Sequence, residues 1–242
     1  MNKKKIFELA EKERLDIKLI KHDDYFRHDI VRNLTNQENI GIELGVAKGI
    51  FSKRMLQSLK FRKFYAVDSY VGTYSDHDYI KTLKFLEFQN SNFCLIRSDF
   101  DSALNLFQDE YFDFIYIDGY AHTGEEGGKT IIDWFAKLKP GGILSGDDYH
   151  DDWPLVVWAV NNVVKQLDVD LHVTGKIENE NYSKYPSWFI IKPLNFKKLS
   201  LDKKLYALAM SEKERIHNLR TGFIGKLRKF LSKYLKTINI IK

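Results

Sequence analysis

Residues 40–52, IGIELGVAKGIFS, read as a short buried strand that runs into a glycine turn and then a helix. Ile40 to Leu44 is apolar apart from Glu43, and Gly45 and Gly49 free the following turn of a Cβ at two positions. Gly45 lets the backbone come close to a ligand, and Gly49 lets the next helix start tight against the strand. This is a site for a nucleotide-like molecule at a strand's carboxyl end. The spacing, Glu-x-Gly-x-x-x-Gly, is one residue longer between glycines than a dinucleotide phosphate loop. It also places a carboxylate where a pyrophosphate would sit, which suits an amino-bearing or hydroxyl-bearing ligand and repels phosphate.

The rest of the chain extends this unit into an α/β pattern. Phe51 to Leu59 reads as a helix and Lys63 to Val67 as a second strand ending at Asp68. Tyr79 to Phe88 reads as a helix, and Phe93 to Arg97 as a third strand followed by Ser98-Asp99-Phe100. Tyr111 to Ile117, YFDFIYI, is almost continuously apolar, as expected for the centre of a parallel sheet, and delivers Asp118 to His122 at its carboxyl end. Lys139-Pro140-Gly141-Gly142 stops a helix and turns into the strand Ile143 to Gly146, which ends in Asp147-Asp148-Tyr149-His150. Pro154 to Leu167 follows as an apolar helix, and Val169 to Val173 and Ser187 to Ile191 form a last, antiparallel strand pair at the sheet edge. The polar segment between that pair, with Tyr182 and Tyr185, is expected to be mobile or to face the substrate.

The acidic residue and glycines of the first motif resemble the class I S-adenosylmethionine-dependent methyltransferases. Asp118 with Asp147-Asp148, in the order IDG, PGG, GDDY, resembles the metal-dependent sugar O-methyltransferases of the macrocin and mycinamicin type. The resemblance covers roughly Gly41 to Val164. It implies a Rossmann-like, seven-stranded, mostly parallel sheet with helices on both faces and an antiparallel last strand. It also implies S-adenosylmethionine as methyl donor, held by Glu43, Gly45, Gly49, Ser52, Asp68, Asp99 and Phe100, with Asp68 accepting from the ribose hydroxyls. Asp99 has a second reading as a helix N-cap.

Three acids at two neighbouring strand ends repel one another unless compensated, and a divalent cation is the simplest compensation. Mg²⁺ or Mn²⁺ on Asp118, Asp147 and Asp148 is therefore expected, holding an acceptor hydroxyl for in-line methyl transfer. Asp118 or His122 is the candidate proton acceptor. The lysine base of the distantly similar catechol enzymes has no counterpart directly after Asp118.

The 242 residues carry 44% apolar and 14% aromatic side chains, enough for one α/β domain with appendages. Residues 1–36 read as a cap of two helices before the first strand, and 37–194 as the methyltransferase domain. Residues 195–242 read as a basic helical tail with 13 Lys or Arg against three acids. The net charge of +5 is thus concentrated in the tail while the body is mildly acidic, so a uniformly basic nucleic-acid surface is not indicated. Ile224, Leu227, Phe230, Leu231, Tyr234, Leu235 and Ile238 share one face of the tail, fit to meet its own domain, a dimer mate or a membrane surface. The chain lacks an apolar run long enough to span a membrane and starts on Met-Asn-Lys-Lys-Lys, so a cytoplasmic protein, peripheral at the inner membrane if the tail binds lipid, is expected. Cys94, the only cysteine, sits in an apolar run and reads as a small buried hydrophobe.

The expected acceptor is a hydroxyl on a sugar, a sugar nucleotide or another small molecule. The alternatives are an RNA methyltransferase and a non-catalytic nucleotide-binding module of the same fold. The chain lacks the Asn/Asp-Pro-Pro-Tyr/Phe motif of amine methylation and the paired cysteines of cytosine C5 methylation.

Overall fold

The computed structural model describes residues 2–72, 74–86, 91–178 and 184–221. The chain begins with α1 (Lys3–Glu13), β1 (Leu19–His22) and a 3₁₀ helix (Arg27–Asn33). The glycine unit follows as β2 (Asn39–Leu44) and α2 (Ile50–Gln57), then β3 (Phe61–Asp68), α3 (Asp76–Phe85), β4 (Phe93–Arg97) and α4 (Phe100–Leu104). β5 (Phe112–Ile117) leads through a second 3₁₀ turn (Ala121–Thr123) into α5 (Gly124–Gly127), α6 (Lys129–Lys137) and β6 (Leu138–Gly146). The chain closes with α7 (Pro154–Leu167), β7 (Leu171–Thr174), β8 (Trp188–Ile191) and α8 (Lys203–Thr221).

The strands form one eight-stranded sheet in the order β1-β7-β8-β6-β5-β2-β3-β4. Only β8 runs against the others, antiparallel to both β6 and β7. After β2 the chain moves outward through β3 and β4, then returns to place β5 on the other side of β2. That reversal opens a crevice at the carboxyl ends of β2 and β5, where ligands bind in open α/β sheets.

β2 is buried along its whole length, which fits the apolar run that the sequence offers. β5 shows how the sheet divides the core: Ile115 and Ile117 point into a cluster with α1, α6 and α7, while Phe114 and Tyr116 join Phe51, Met55 and Ile30 on the opposite face. Helices therefore cover both faces. Burying the 3₁₀ residues Ile30 and Val31 in this second cluster fixes the segment that carries Arg27.

Several expectations change. The predicted second N-terminal helix is instead strand β1 plus the 3₁₀ helix, because Leu19 to His22 finds a parallel partner in β7 and Tyr25 N–H closes a turn onto the His22 carbonyl. That added strand makes the sheet eight-stranded and leaves the β7–β8 pair inside it, not at its edge. β6 starts earlier than expected, at Leu138, since Gly141 and Gly142 exchange backbone hydrogen bonds with Lys192. Cys94, expected to be buried, is half-buried on β4, one of the two edge strands.

The tail is less of an appendage than its composition suggests. α8 packs on α5 and α7 and buries Leu205, Ala209 and Glu212, the last paired to Arg215 through two 2.6 Å hydrogen bonds. The amphipathic stretch from Ile224 to Ile238 and Tyr182 lie outside the described residues. Among the described residues no helix is long and apolar enough to cross a membrane.

Candidate functional site

Gly45 stands at the crevice with φ +93°, and its N–H donates to the Val67 carbonyl while Asp118 N–H donates to the Leu44 carbonyl. The two strand ends lie so close that a Cβ at Gly45 would overlap the Asp118 carbonyl oxygen. Gly49 caps α2 in a left-handed conformation, and its Cβ would meet Thr82 and Leu86, so α2 starts tight against α3 and its end, not against the strand.

The carboxylate of Asp68 organises the turn between these glycines. Its Oδ2 accepts from Val46 N–H at 2.9 Å and Ala47 N–H at 3.0 Å, and its Oδ1 accepts from Tyr70 N–H at 2.8 Å. Tyr70 Oη and Thr82 Oγ1 both donate to the Ala47 carbonyl, which ties the turn to β3 and α3. Glu43 is 1% exposed and accepts a short hydrogen bond from Ser52 Oγ. Burial pushes its carboxyl up to about 8, opposed by Ser52 and by the positive charge of Arg27.

Asp118 and Asp147 end adjacent strands, and a single guanidinium joins them. Arg27 Nη1 donates to Asp147 Oδ2 at 2.7 Å and to Asp118 Oδ2 at 3.2 Å. The guanidinium carbon lies 5.1 Å from the ring centre of Phe51 and 5.4 Å from that of Tyr116, and Arg27 is 4% exposed. Asp147 Oδ1 accepts from Ser187 Oγ at 2.8 Å, and Ser187 in turn shares a 2.8 Å hydrogen bond with Tyr116 Oη. A buried polar chain thus runs Tyr116, Ser187, Asp147, Arg27, Asp118. Burial and the nearby Asp147 raise the Asp118 carboxyl above its ordinary range, and Arg27 pulls it back. Asp148, with φ +63°, is raised further by burial and by Asp147, which favours its protonated form.

The metal expectation fails on this geometry. The mutual repulsion of the acids is compensated by the Arg27 guanidinium, which holds the position between Asp118 and Asp147 that a shared cation would need, and Ser187 takes the other Asp147 oxygen. Among the described residues no group of three His, Cys, Asp or Glu side chains is placed to hold a metal ion. A divalent cation does not fit this donor set.

One cleft of about 940 Å³ gathers most of the expected residues: Glu43, Gly45, Asp68, Phe100, Asp118, His122, Asp147 and Asp148 all line it. Phe100 packs its ring against Gly119 and lies 4.9 Å from the Tyr120 ring. Ser52 acts behind Glu43, and Gly49 acts on helix packing. Asp99 follows its second reading, since it caps α4 by accepting from Ser102 N–H and does not line the cleft. His122 stands edge-to-face on Trp153 with centroids 4.8 Å apart.

Two contributions are absent from the sequence reading. Arg27 comes from the segment before the first core strand, where no spacing rule marks one basic residue among several. α8 supplies Lys213, Ile216, His217 and Arg220 to the cleft, and Lys213 pairs with Glu126 at 2.9 Å.

The loop from β5 to α6 is held by an unusual turn. Gly124, Glu125, Glu126, Gly127 and Gly128 all have positive φ, which costs L-residues about 1–2 kcal/mol each. Glu125 is buried there, and its carboxylate accepts from Tyr120 N–H at 3.2 Å. Burial pushes this carboxyl up to about 8 from an ordinary 4.5. The folded state then holds the proton more tightly than the unfolded chain, so the stability from Glu125 is present below pH 4.5 and lost as pH rises through about 8. Glu125→Gln, which cannot ionise, is expected to gain stability relative to wild type across that interval. Denaturation curves at several pH values measure this, and a constant offset between the two proteins would reject it.

Residues 42–149 match the family model described as a methyltransferase domain. An rRNA methylase from Streptococcus thermophilus is similar in structure, with 18% identity, 74% of this chain and 100% of that chain covered, and a TM-score of 0.51. Spermidine synthase from Thermotoga maritima is similar with 13% identity, 79% and 75% coverage and a TM-score of 0.52. No curated protein matches the sequence. At these identities the solved structures speak for the fold, and the domain match adds the class. The matched segment is similar to a methyltransferase domain and holds Glu43, Gly45, Asp68, Asp118, Asp147 and Asp148 but neither Arg27 nor α8.

Proposed function

We propose that the protein is an O-methyltransferase that uses S-adenosylmethionine to methylate a hydroxyl of a sugar, a sugar nucleotide or a glycosylated small molecule. The observation that carries this reading is that Glu43, Asp68, Phe100, Asp118, His122, Asp148 and Tyr185 line one cleft together. The donor supplies an electrophilic methyl group on a sulfonium. Glu43 suits the donor's amino end, Asp68 its ribose hydroxyls, and Phe100 the flat face of its adenine. Asp118, whose Oδ2 is committed to Arg27, keeps Oδ1 for the acceptor hydroxyl, and His122 is the other group able to receive its proton.

The cleft pairs an acidic floor with a cationic rim. Lys213 and Arg220 from α8 and Lys184 line it together with Tyr185. Such a rim suits an acceptor that carries phosphate beside its hydroxyls, which a sugar nucleotide does. An RNA acceptor is the second reading, favoured by the same rim. The carboxylates of Asp68, Asp118 and Asp147, which line the same cleft, oppose a polyanion at the transfer point.

Transfer of tritium from labelled donor to a panel of sugar nucleotides, glycosides and total cellular RNA tests the assignment. Label in a sugar hydroxyl is the expected outcome. Label in RNA alone would move the assignment to the second reading, and a protein that neither binds S-adenosylhomocysteine nor transfers label would be a binding module.

A further inference from the structure

The N-terminal segment sends one side chain into the centre of the cleft. Arg27 is fixed from three directions: Ile30 and Val31 anchor its 3₁₀ helix in the core, Phe51 and Tyr116 flank its guanidinium, and Asp118 and Asp147 accept its N–H groups. A surface arginine would pair with one carboxylate at a time and trade it for water. This one is enclosed, and it bridges the two strand ends where methyl transfer is expected.

Guanidinium and a divalent cation share one capability at such a place. Each neutralises converging carboxylates and holds them at fixed separation. They differ in that an arginine is always present, always charged, and needs no open coordination positions. Removing one partner of a buried ion pair leaves the other charge uncompensated, a costly state that selects for any replacement cation.

We propose that Arg27 is a resident cation that stands in place of a divalent metal in this cleft, neutralising Asp147 and positioning Asp118 as the acceptor's proton receiver. The inference rests on the methyl-transfer reading of the site. In the step it serves, the acceptor oxygen forms a bond to the methyl carbon as the sulfur–methyl bond breaks, its electron pair going to sulfur. The hydroxyl proton passes to the Asp118 carboxylate. Arg27 itself takes no proton and touches neither reacting atom, so it is a positioning residue.

The readout is metal binding, which a merely structural arginine would not control. Full-length wild-type protein, stripped with a chelator, is titrated with Mn²⁺ and followed by electron paramagnetic resonance and by its melting temperature. Wild type is expected to bind no Mn²⁺ in the cleft. Arg27→Ala is expected to bind one Mn²⁺ per chain and to recover several degrees of lost melting temperature from it, an effect that Asp147→Asn in the same background abolishes. Arg27→Gln, which keeps a hydrogen-bonding side chain, replaces the alanine variant if that does not fold. Mn²⁺ bound by wild type and lost in Asp147→Asn overturns the proposal, as does a folded Arg27 variant that binds none. Calorimetry of S-adenosylhomocysteine on the wild type reports separately on the methyl-transfer reading, so the two can fail independently.

Discussion

Asp118→Asn is expected to cut methyl transfer by roughly 10²–10⁴-fold, the usual contribution of a positioned general base, while S-adenosylhomocysteine affinity stays nearly unchanged. The amide keeps the shape and can still meet Arg27 through its oxygen, so the strand end stays in place. It cannot receive the acceptor's proton. The loss should therefore appear in kcat at saturating donor. His122→Ala run beside it divides the two candidate bases: if the histidine variant carries the large loss and Asp118→Asn turns over normally, the base is His122. Asp118 would then be an anchor for Arg27.

Asp68→Ala is expected to weaken S-adenosylhomocysteine binding by roughly tenfold to a hundredfold, from the loss of about 1.5–3 kcal/mol in hydrogen bonds to a charged group. Two effects add in the same direction. The donor loses a ribose acceptor, and the glycine turn loses the carboxylate that gathers Val46, Ala47 and Tyr70 N–H. Asp68→Asn separates them, because an amide oxygen can still accept one or two of those N–H groups. Its affinity should fall between wild type and the alanine variant. Unchanged product affinity in a folded Asp68→Ala protein, measured by calorimetry, would remove the donor from this end of β3.

These two carboxylates show what kinds of statement a sequence supports. Asp118 sits one step past an apolar run of strand length and Asp68 closes another, and the runs themselves come from burial: Phe112 to Ile117 is enclosed apart from Asp113, and β3 buries Phe64, Ala66 and Val67 just before Asp68. Apolar patterning is local, so the strand ends and the acids they deliver are legible residue by residue. The glycine turn is legible for the same reason, since the need for positive φ at Gly45 and Gly49 is a property of single positions. What compensates the acids is another matter. Repulsion between Asp118 and Asp147 follows from placing them on adjacent strands, but its magnitude is blind to the identity of the nearby positive charge.

The sequence by itself determined the α/β alternation, the antiparallel last strand, the glycine turn after β2 and the acids at the ends of β5 and β6, because each is written in contiguous residues. Only the tertiary structure decided that Leu19 to His22 would be a strand, since an isolated four-residue run becomes one only when β7 offers its edge. Only the tertiary structure laid α8 over the cleft and brought Arg27 between acids 91 and 120 residues away in the chain. Such convergences depend on how packed layers stack, and no local period in the sequence carries that information.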